Sequence, residues 1–148
     1  MNTKAETTTY ALSIDSAKVA SRLTLKNVAE LAGRVLIASL FLLSGLGKIA
    51  AYTATAGYMA SMGVPGGMLS LVIATEVLGS LAIILGWQTR IVSFLMAGFT
   101  LLTGILFHAN FADQTQMIMF MKNLSIAGAF LLLTVNGAGP ISLDSKSR

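Results

Sequence analysis

The chain of 148 residues carries a net charge of +4 and is 55% hydrophobic but only 11% charged. Soluble domains contain about 25% charged residues, so this composition excludes an ordinary soluble domain and indicates an integral membrane protein. The lack of cysteine and the single histidine, His108, exclude thiol catalysis, cysteine-ligated iron–sulfur clusters and bis-histidine haem within one chain. We therefore expect no metal, haem or iron–sulfur cluster. We also expect no nucleic-acid partner, because most basic residues lie in the tails and at the ends of apolar segments.

The first 27 residues are polar and rich in threonine. A signal peptide would place a basic stretch directly before a short apolar run that ends in small residues, and this pattern is missing. We interpret residues 1–27 as a cytoplasmic tail. Within it, Lys18, Arg22 and Lys26 recur at helical spacing, which favours contact with anionic lipid head groups.

Long apolar segments dominate the rest of the chain, and they cover about residues 28–47, 66–86, 91–108 and 117–136. A helix rises ~1.5 Å per residue, so ~20 residues cross a hydrocarbon core of ~30 Å. The sequence therefore predicts an all-α fold, a membrane four-helix bundle over residues 28–136, followed by a short polar tail over residues 137–148. Asn27 with Glu30 three positions later resembles a capping box, which predicts Asn27 as the N-cap of the first span.

The segment between the first two spans, residues 49–65, is too short and too polar to cross a membrane. It predicts a short interfacial helix that ends before Pro65. Its amphipathic side chains Tyr52, Tyr58 and Met59 suit the boundary between lipid and water. Two interpretations stay open: the helix is a lid over one end of the bundle, or it simply closes a loop.

The distribution of Lys and Arg predicts the orientation of the chain. Basic residues lie in residues 1–27, at Arg90 in the turn between the second and third spans, and in residues 137–148. The opposite side has only Lys48. By the positive-inside rule, both termini are cytoplasmic.

Glu76, near the middle of the second span, is the most informative residue. A charge at that depth costs ~2.5–3.5 kcal/mol on insertion scales, so Glu76 should face protein and mark a functional site. Depths counted along each span place Arg34 or Lys122 within reach of Glu76, whereas Lys48 at the outer rim is expected to be too far away. The predicted intramembrane polar cluster comprises Arg34, Lys48, Glu76, His108, Lys122 and Asn123.

The charges of this cluster do not balance, because three bases accompany one acid. Unless a base extends to the membrane surface, one of them is left uncompensated. An anionic or carbonyl-bearing ligand, such as a quinone or a lipid head group, would satisfy it. The alternative is that an ion pair only fixes the register of the helices.

Several short motifs, taken in order, resemble those of the DoxX family of small bacterial inner-membrane proteins over about residues 31–143. They are Gly33-Arg34, Phe41 to Lys48, Gly57-Tyr58-Met59, Glu76 to Gly79, Gly86 to Arg90, Phe107-His108 and Met121 to Leu124. The resemblance implies a multi-pass protein of the bacterial inner membrane with four helices. It also implies an association with membrane redox functions, since the family is named after a subunit linked to thiosulfate:quinone oxidoreduction.

Three functions remain open from the sequence. The favoured one is a quinone- or lipid-binding subunit of a membrane redox or stress-response assembly, with a partner subunit. The second is a structural or assembly module whose buried ion pair only fixes the bundle. The third is a small proton-coupled carrier with Glu76 as its protonation site, which would require a homo-oligomer because four spans are few for alternating access. An autonomous enzyme is least favoured, because no nucleophile–base pair or nucleotide motif is recognisable.

Overall fold

The computed structural model describes residues 24–146, and these form helices, turns and connecting segments without a strand. The predicted lipid contacts of Lys18 and Arg22 lie outside the described residues. The helices are α1 (Leu25–Ala50), α2 (Tyr52–Ser61), α3 (Leu69–Leu85), α4 (Thr89–His108) and α5 (Gln114–Asn136), with a 3-10 turn (Gly66–Met68) leading into α3.

Four of these elements are long and apolar enough to cross a membrane, and the prediction of a four-span bundle is confirmed. They are Leu25–Ala50, Gly66–Leu85, Thr89–His108 and Gln114–Asn136. On their outer surfaces, large apolar side chains such as Leu36 and Leu132 are exposed, as helices facing acyl chains require. The acyl chains of the membrane therefore cover the apolar outer surface of this small bundle.

The predicted N-cap of the first span is wrong. Thr24 has an extended backbone, and its hydroxyl oxygen accepts the backbone N–H of Asn27 at 3.5 Å. Leu25 and Lys26 are good helix formers and extend α1 by a turn, so Asn27 lies inside the first turn.

The short helix predicted between the first two spans is present as α2, which follows α1 after the single residue Ala51. It ends near Gly63, whose positive φ of 78° is unfavourable for other residues. Of its side chains, only Met59 is buried. Thus α2 lies across the end of the bundle at which α1 finishes.

The spans pack as two close pairs, α1 with α3 and α4 with α5, and a looser contact between α3 and α4 joins them. Glycine makes the first pair close. A Cβ on Gly45 of α1 would lie 2.8 Å from Val77 Cγ2 and 3.1 Å from Glu76 Cβ on α3. The shared apolar core lies deeper in the bundle, where Phe41 contacts Phe130 with their ring centroids 5.5 Å apart. Because α1 and α5 do not pack closely, a gap remains between them.

Residues 137–146 fold back over the turn between α3 and α4. The backbone N–H groups of Leu143 and Asp144 donate to the carbonyls of Leu85 and Gly86, at 3.1 and 2.8 Å. The Asp144 carboxylate accepts the backbone N–H of Gln88 at 2.7 Å and that of Thr89 at 2.9 Å. The first N–H groups of a helix lack partners within it, and the Asp144 carboxylate supplies the acceptors for α4. It does so although Asp144 follows Thr89 by 55 residues and Gln88 by 56.

Arg34 is buried beneath this segment, at 2% exposure. Its guanidinium donates to the carbonyls of Ile83 and Ile84 at 3.2 and 3.3 Å, and also to that of Ile141. The first two carbonyls lie in the last turn of α3, where the regular i→i+4 donors are missing. The carbonyl of Ile83 also accepts the backbone N–H of Gly86 at 3.2 Å. Arg34 thereby joins α1, α3 and the C-terminal segment, so both described chain ends lie at one end of the bundle, here called the termini end.

We predict that the termini end lies on the cytoplasmic side of the membrane. We expect alkaline phosphatase fused after Arg148 to be inactive and green fluorescent protein at the same position to be fluorescent, because positive tails are retained in the cytoplasm. A matched fusion at Asn110, between α4 and α5, should give the opposite pair of results. Active phosphatase at Arg148 would show that the predicted orientation is wrong and that the termini end lies outside the cytoplasm.

Gly86 provides a test of how the termini end is closed. Its backbone is left-handed (φ 67°), and a Cβ there would collide with Arg34 Nη1 and Ser142. We expect Gly86→Ala to lower the free energy of unfolding by about 1–3 kcal/mol, since it adds both strain and a clash. Thermal unfolding in mild detergent measures this. Gly98→Ala is the control, because open space surrounds Gly98; equal midpoints for the two variants would contradict the expectation.

Candidate functional site

A buried ion pair lies at the centre of the site. Lys48 Nζ lies 2.9 Å from both carboxylate oxygens of Glu76, which is 5% exposed. Ser44, one turn before Lys48 on α1, accepts a hydrogen bond from Nζ at 2.5 Å and donates to Glu76 Oε1 at 3.3 Å. The expectation that Glu76 faces protein is confirmed, and its charge is matched by one base.

The predicted choice of partner is wrong, because Glu76 pairs with Lys48 and not with Arg34 or Lys122. A helical side chain points back towards the N-terminus of its helix, which brings the ammonium of Lys48 inward from the rim. Gly45 then lets α3 approach closely enough for a direct contact. The depths estimated by counting residues along each span took neither the direction of the side chain nor the close approach of the helices into account.

The predicted excess of buried bases is also absent among residues 24–146. Arg34 lies at the termini end and is bonded to three backbone carbonyls. Lys122 is exposed on α5 and does not line the cavities described below. Lys48 is paired with Glu76. Charge imbalance therefore no longer argues for an anionic ligand, and the case for a ligand depends on the shape of the site.

A cavity of about 450 Å³ opens beside the pair, and all five helices contribute to its lining. We call it the head cavity. Most of its wall is apolar, with aromatic rings from Phe41, Phe99 and Phe107. Its polar lining comes from Ser44, Lys48, Thr55, Tyr58, Glu76, Thr103, His108 and Asn123. Cavities of roughly 300–1,000 Å³ with few convergent polar groups are typical of small-molecule sites.

Two of the predicted residues reach this cavity from α4 and α5. His108 Nδ1 lies 2.8 Å from Gln116 Oε1, which fixes the ring at the end of α4. Asn123 is half-buried and donates to the carbonyl of Met119 at 2.9 Å. Gly104 allows α5 to approach α4 here, since a Cβ on it would lie 3.0 Å from Asn123 Cβ. His108 and Asn123 thus line the cavity from α4 and α5.

The predicted lid residues divide into two groups. Tyr58 and Met59 line the head cavity, and the Tyr58 ring stacks on Phe107 with centroids 5.8 Å apart. Tyr52 lies outside it, with its hydroxyl 2.9 Å from Ser70 Oγ. The helix α2 therefore covers the cavity through Tyr58 and Met59, and a lid that moves stays a prediction.

Sequence reasoning missed several lining residues, above all Ser44, Thr103 and the three phenylalanines. Ser44 could have been found, because it precedes Lys48 by four residues and so shares its helix face. Phe41 and Phe107 lie within the motifs of the family resemblance, in the same motifs as Lys48 and His108. Thr103 and Phe99 carry no comparable signal, since such residues are common on any membrane helix.

A second, more polar cleft of about 510 Å³ lies at the termini end, between the turn from α3 to α4 and the C-terminal segment. Its carboxylate, Asp144, is already bonded to the start of α4. Because its polar groups serve helix ends, we do not assign it the function. Among residues 24–146, no group of three His, Cys, Asp or Glu side chains converges in a way that could hold a metal ion.

Known proteins share much of this sequence. The DoxX family model matches residues 29–109, which include Lys48, Glu76, His108 and all of α2. The protein is 52% identical to inner membrane protein YqjF of Escherichia coli K12 over 120 residues, covering 81% of this chain and 92% of the relative. It is 40% identical to inner membrane protein YphA of the same organism over 127 residues, covering 80% of this chain and 90% of that relative.

No solved structure matches the chain. Both relatives are inner membrane proteins by name, and the four apolar helices agree with a multi-pass protein of that membrane. With more than half of its residues matched by the family model and most of its length shared with these relatives, the chain belongs to the DoxX family.

Proposed function

We propose that this protein binds a quinone in the head cavity and acts as the quinone-binding subunit of a membrane redox assembly. The observation that carries the proposal is the cavity itself. It joins a largely apolar wall to a buried carboxylate and its half-buried ammonium partner. A lipid-soluble ring with polar carbonyls matches both surfaces.

The donors around the cavity suit a molecule with carbonyl oxygens. Lys48 is 24% exposed in its side chain, so its ammonium is accessible from the cavity, although it bonds to Glu76 and Ser44. From α5 and α4, Asn123 and His108 offer an amide and an imidazole. A quinone has carbonyls on opposite edges of its ring, and the cavity is lined by polar groups from several different helices.

The aromatic wall suits the ring itself. Phe41, Phe99 and Phe107 come from two helices, and Phe41 and Phe99 already contact each other edge to face at 6.5 Å. Flat rings pack against such side chains by offset stacking or edge contacts, at about 0.5–1.5 kcal/mol beyond the burial of area. In the proposed assembly this chain binds and orients the quinone, and a partner subunit exchanges electrons with it.

One observation favours a second candidate, the structural module. Lys48 and Glu76 are bonded to each other and to Ser44, so the pair is satisfied without a ligand. Such a pair could serve only to hold α1 against α3. This role does not require the cavity, and a binding measurement therefore separates the two functions.

We expect Lys48→Met to weaken binding of ubiquinone-1 by roughly tenfold, equal to about 1.4 kcal/mol, because the strongest donor of the cavity is lost. Microscale thermophoresis of the protein in mild detergent measures the affinity. Lys122→Met is the matched control, since it removes the same charge from an exposed position outside the cavity.

Lys48→Met leaves Glu76 buried without its base, which is costly for folding. The double variant Lys48→Met with Glu76→Gln removes both charges and keeps the volume, so it serves as the second test. We expect it to retain the thermal midpoint more closely than the single variant and to lose ubiquinone-1 affinity all the same. Unchanged affinity in the folded double variant, or no binding by the unaltered protein, would leave the structural module as the better function.

A further inference from the structure

We infer that the ligand of the head cavity is a long-tailed lipid whose hydrocarbon tail lies in the groove between α1 and α5. The inference rests on the proposed function and deepens it, because it distinguishes a long-chain quinone from a small ring compound. The starting point is the packing of the spans, in which α1 and α5 are the two neighbours that do not pack closely.

A second cavity of about 340 Å³ occupies the same gap nearer the termini end, and we call it the tail cavity. Its wall is mainly apolar and is formed by the same two helices, with Gly33 and Ile37 on α1 and Ala129 and Leu133 on α5. The charged residues that line it, Glu30 and Arg34, belong to the part of α1 nearest the chain ends. The section towards the head cavity is therefore hydrocarbon in character.

The head and tail cavities are adjacent along both helices. Ile37 of the tail cavity precedes Phe41 of the head cavity by four residues on α1. On α5, Ile126 of the head cavity precedes Ala129 of the tail cavity by three. Three or four residues make one helical turn, about 5.4 Å, so the two cavities are successive sections of one groove.

The groove has a floor where its two sections meet. Phe41 and Phe130 contact each other there, and both rings are buried. This contact lies between the two cavities, so in the proposed arrangement the tail passes alongside the two rings.

The length of the groove sets the length of the tail. Fifteen residues separate Gly33 from Lys48 on α1, which corresponds to about 22 Å. A quinone with a single isoprenoid unit is too short to extend from Lys48 to Gly33. A long isoprenoid tail spans both sections and buries apolar area along α1 and α5.

Gly33 offers a direct test, because open space surrounds the position where its Cβ would lie and it lines the tail cavity. We expect Gly33→Leu to fill that cavity and weaken ubiquinone-8 binding by roughly tenfold relative to ubiquinone-1. Both affinities are measured in lipid nanodiscs. Gly98→Leu is the matched control, since Gly98 on α4 is equally open and lines neither cavity.

Ala129→Leu fills the same cavity from α5 and serves as the second variant if Gly33→Leu unfolds. If both leucine variants lower the two affinities equally, or leave both unchanged, the tail assignment is overturned. In that case a loss of ubiquinone-1 binding in Lys48→Met still supports the head cavity. If ubiquinone-1 and ubiquinone-8 fail to bind the unaltered protein, the proposed function and this inference are both wrong.

Discussion

The contact on which the rest of the bundle depends is the ion pair between Lys48 and Glu76. Each charge alone would cost about 2.5–3.5 kcal/mol at the centre of a bilayer, and removing one partner of a buried pair leaves the other uncompensated. The two residues neutralise each other only because α1 and α3 approach closely at Gly45. The charge pair and the helix packing therefore stabilise each other, and the position of the pair defines one wall of the head cavity.

At the termini end, Arg34 is also a buried charge, and its partners are backbone carbonyls. A guanidinium has five donors and no acceptor, and the last turn of a helix has carbonyls without donors. Arg34 matches the two by donating to Ile83 and Ile84 at the end of α3, and to Ile141 of the returning C-terminal segment. Buried cations of α1 thus attach it to α3 at both ends, and neither attachment reaches α5.

The packing of the spans is asymmetric. The pairs α1 with α3 and α4 with α5 are held closely, whereas the tail cavity lies between α1 and α5, and the head cavity follows it one turn further along both helices. In the proposed function, the ligand would occupy this less closely packed side of the bundle. The residues matched by the DoxX family model include the Lys48–Glu76 pair and α4. The α5 side of the groove, with Asn123 and Ala129, lies beyond the matched residues.

The sequence by itself determined the local features of this protein. The four spans, the short helix α2 and the inward direction of Glu76 follow from segment length, hydropathy and the cost of a charge in lipid, all of which are properties of neighbouring residues. Only the tertiary structure decided which base pairs with Glu76, that Lys122 is exposed, and that residues 137–146 return to the start of α4. These outcomes depend on how far one helix slides and rotates against another. One helical turn, about 5.4 Å, is enough to exchange one partner for another, and a single sequence does not define that displacement.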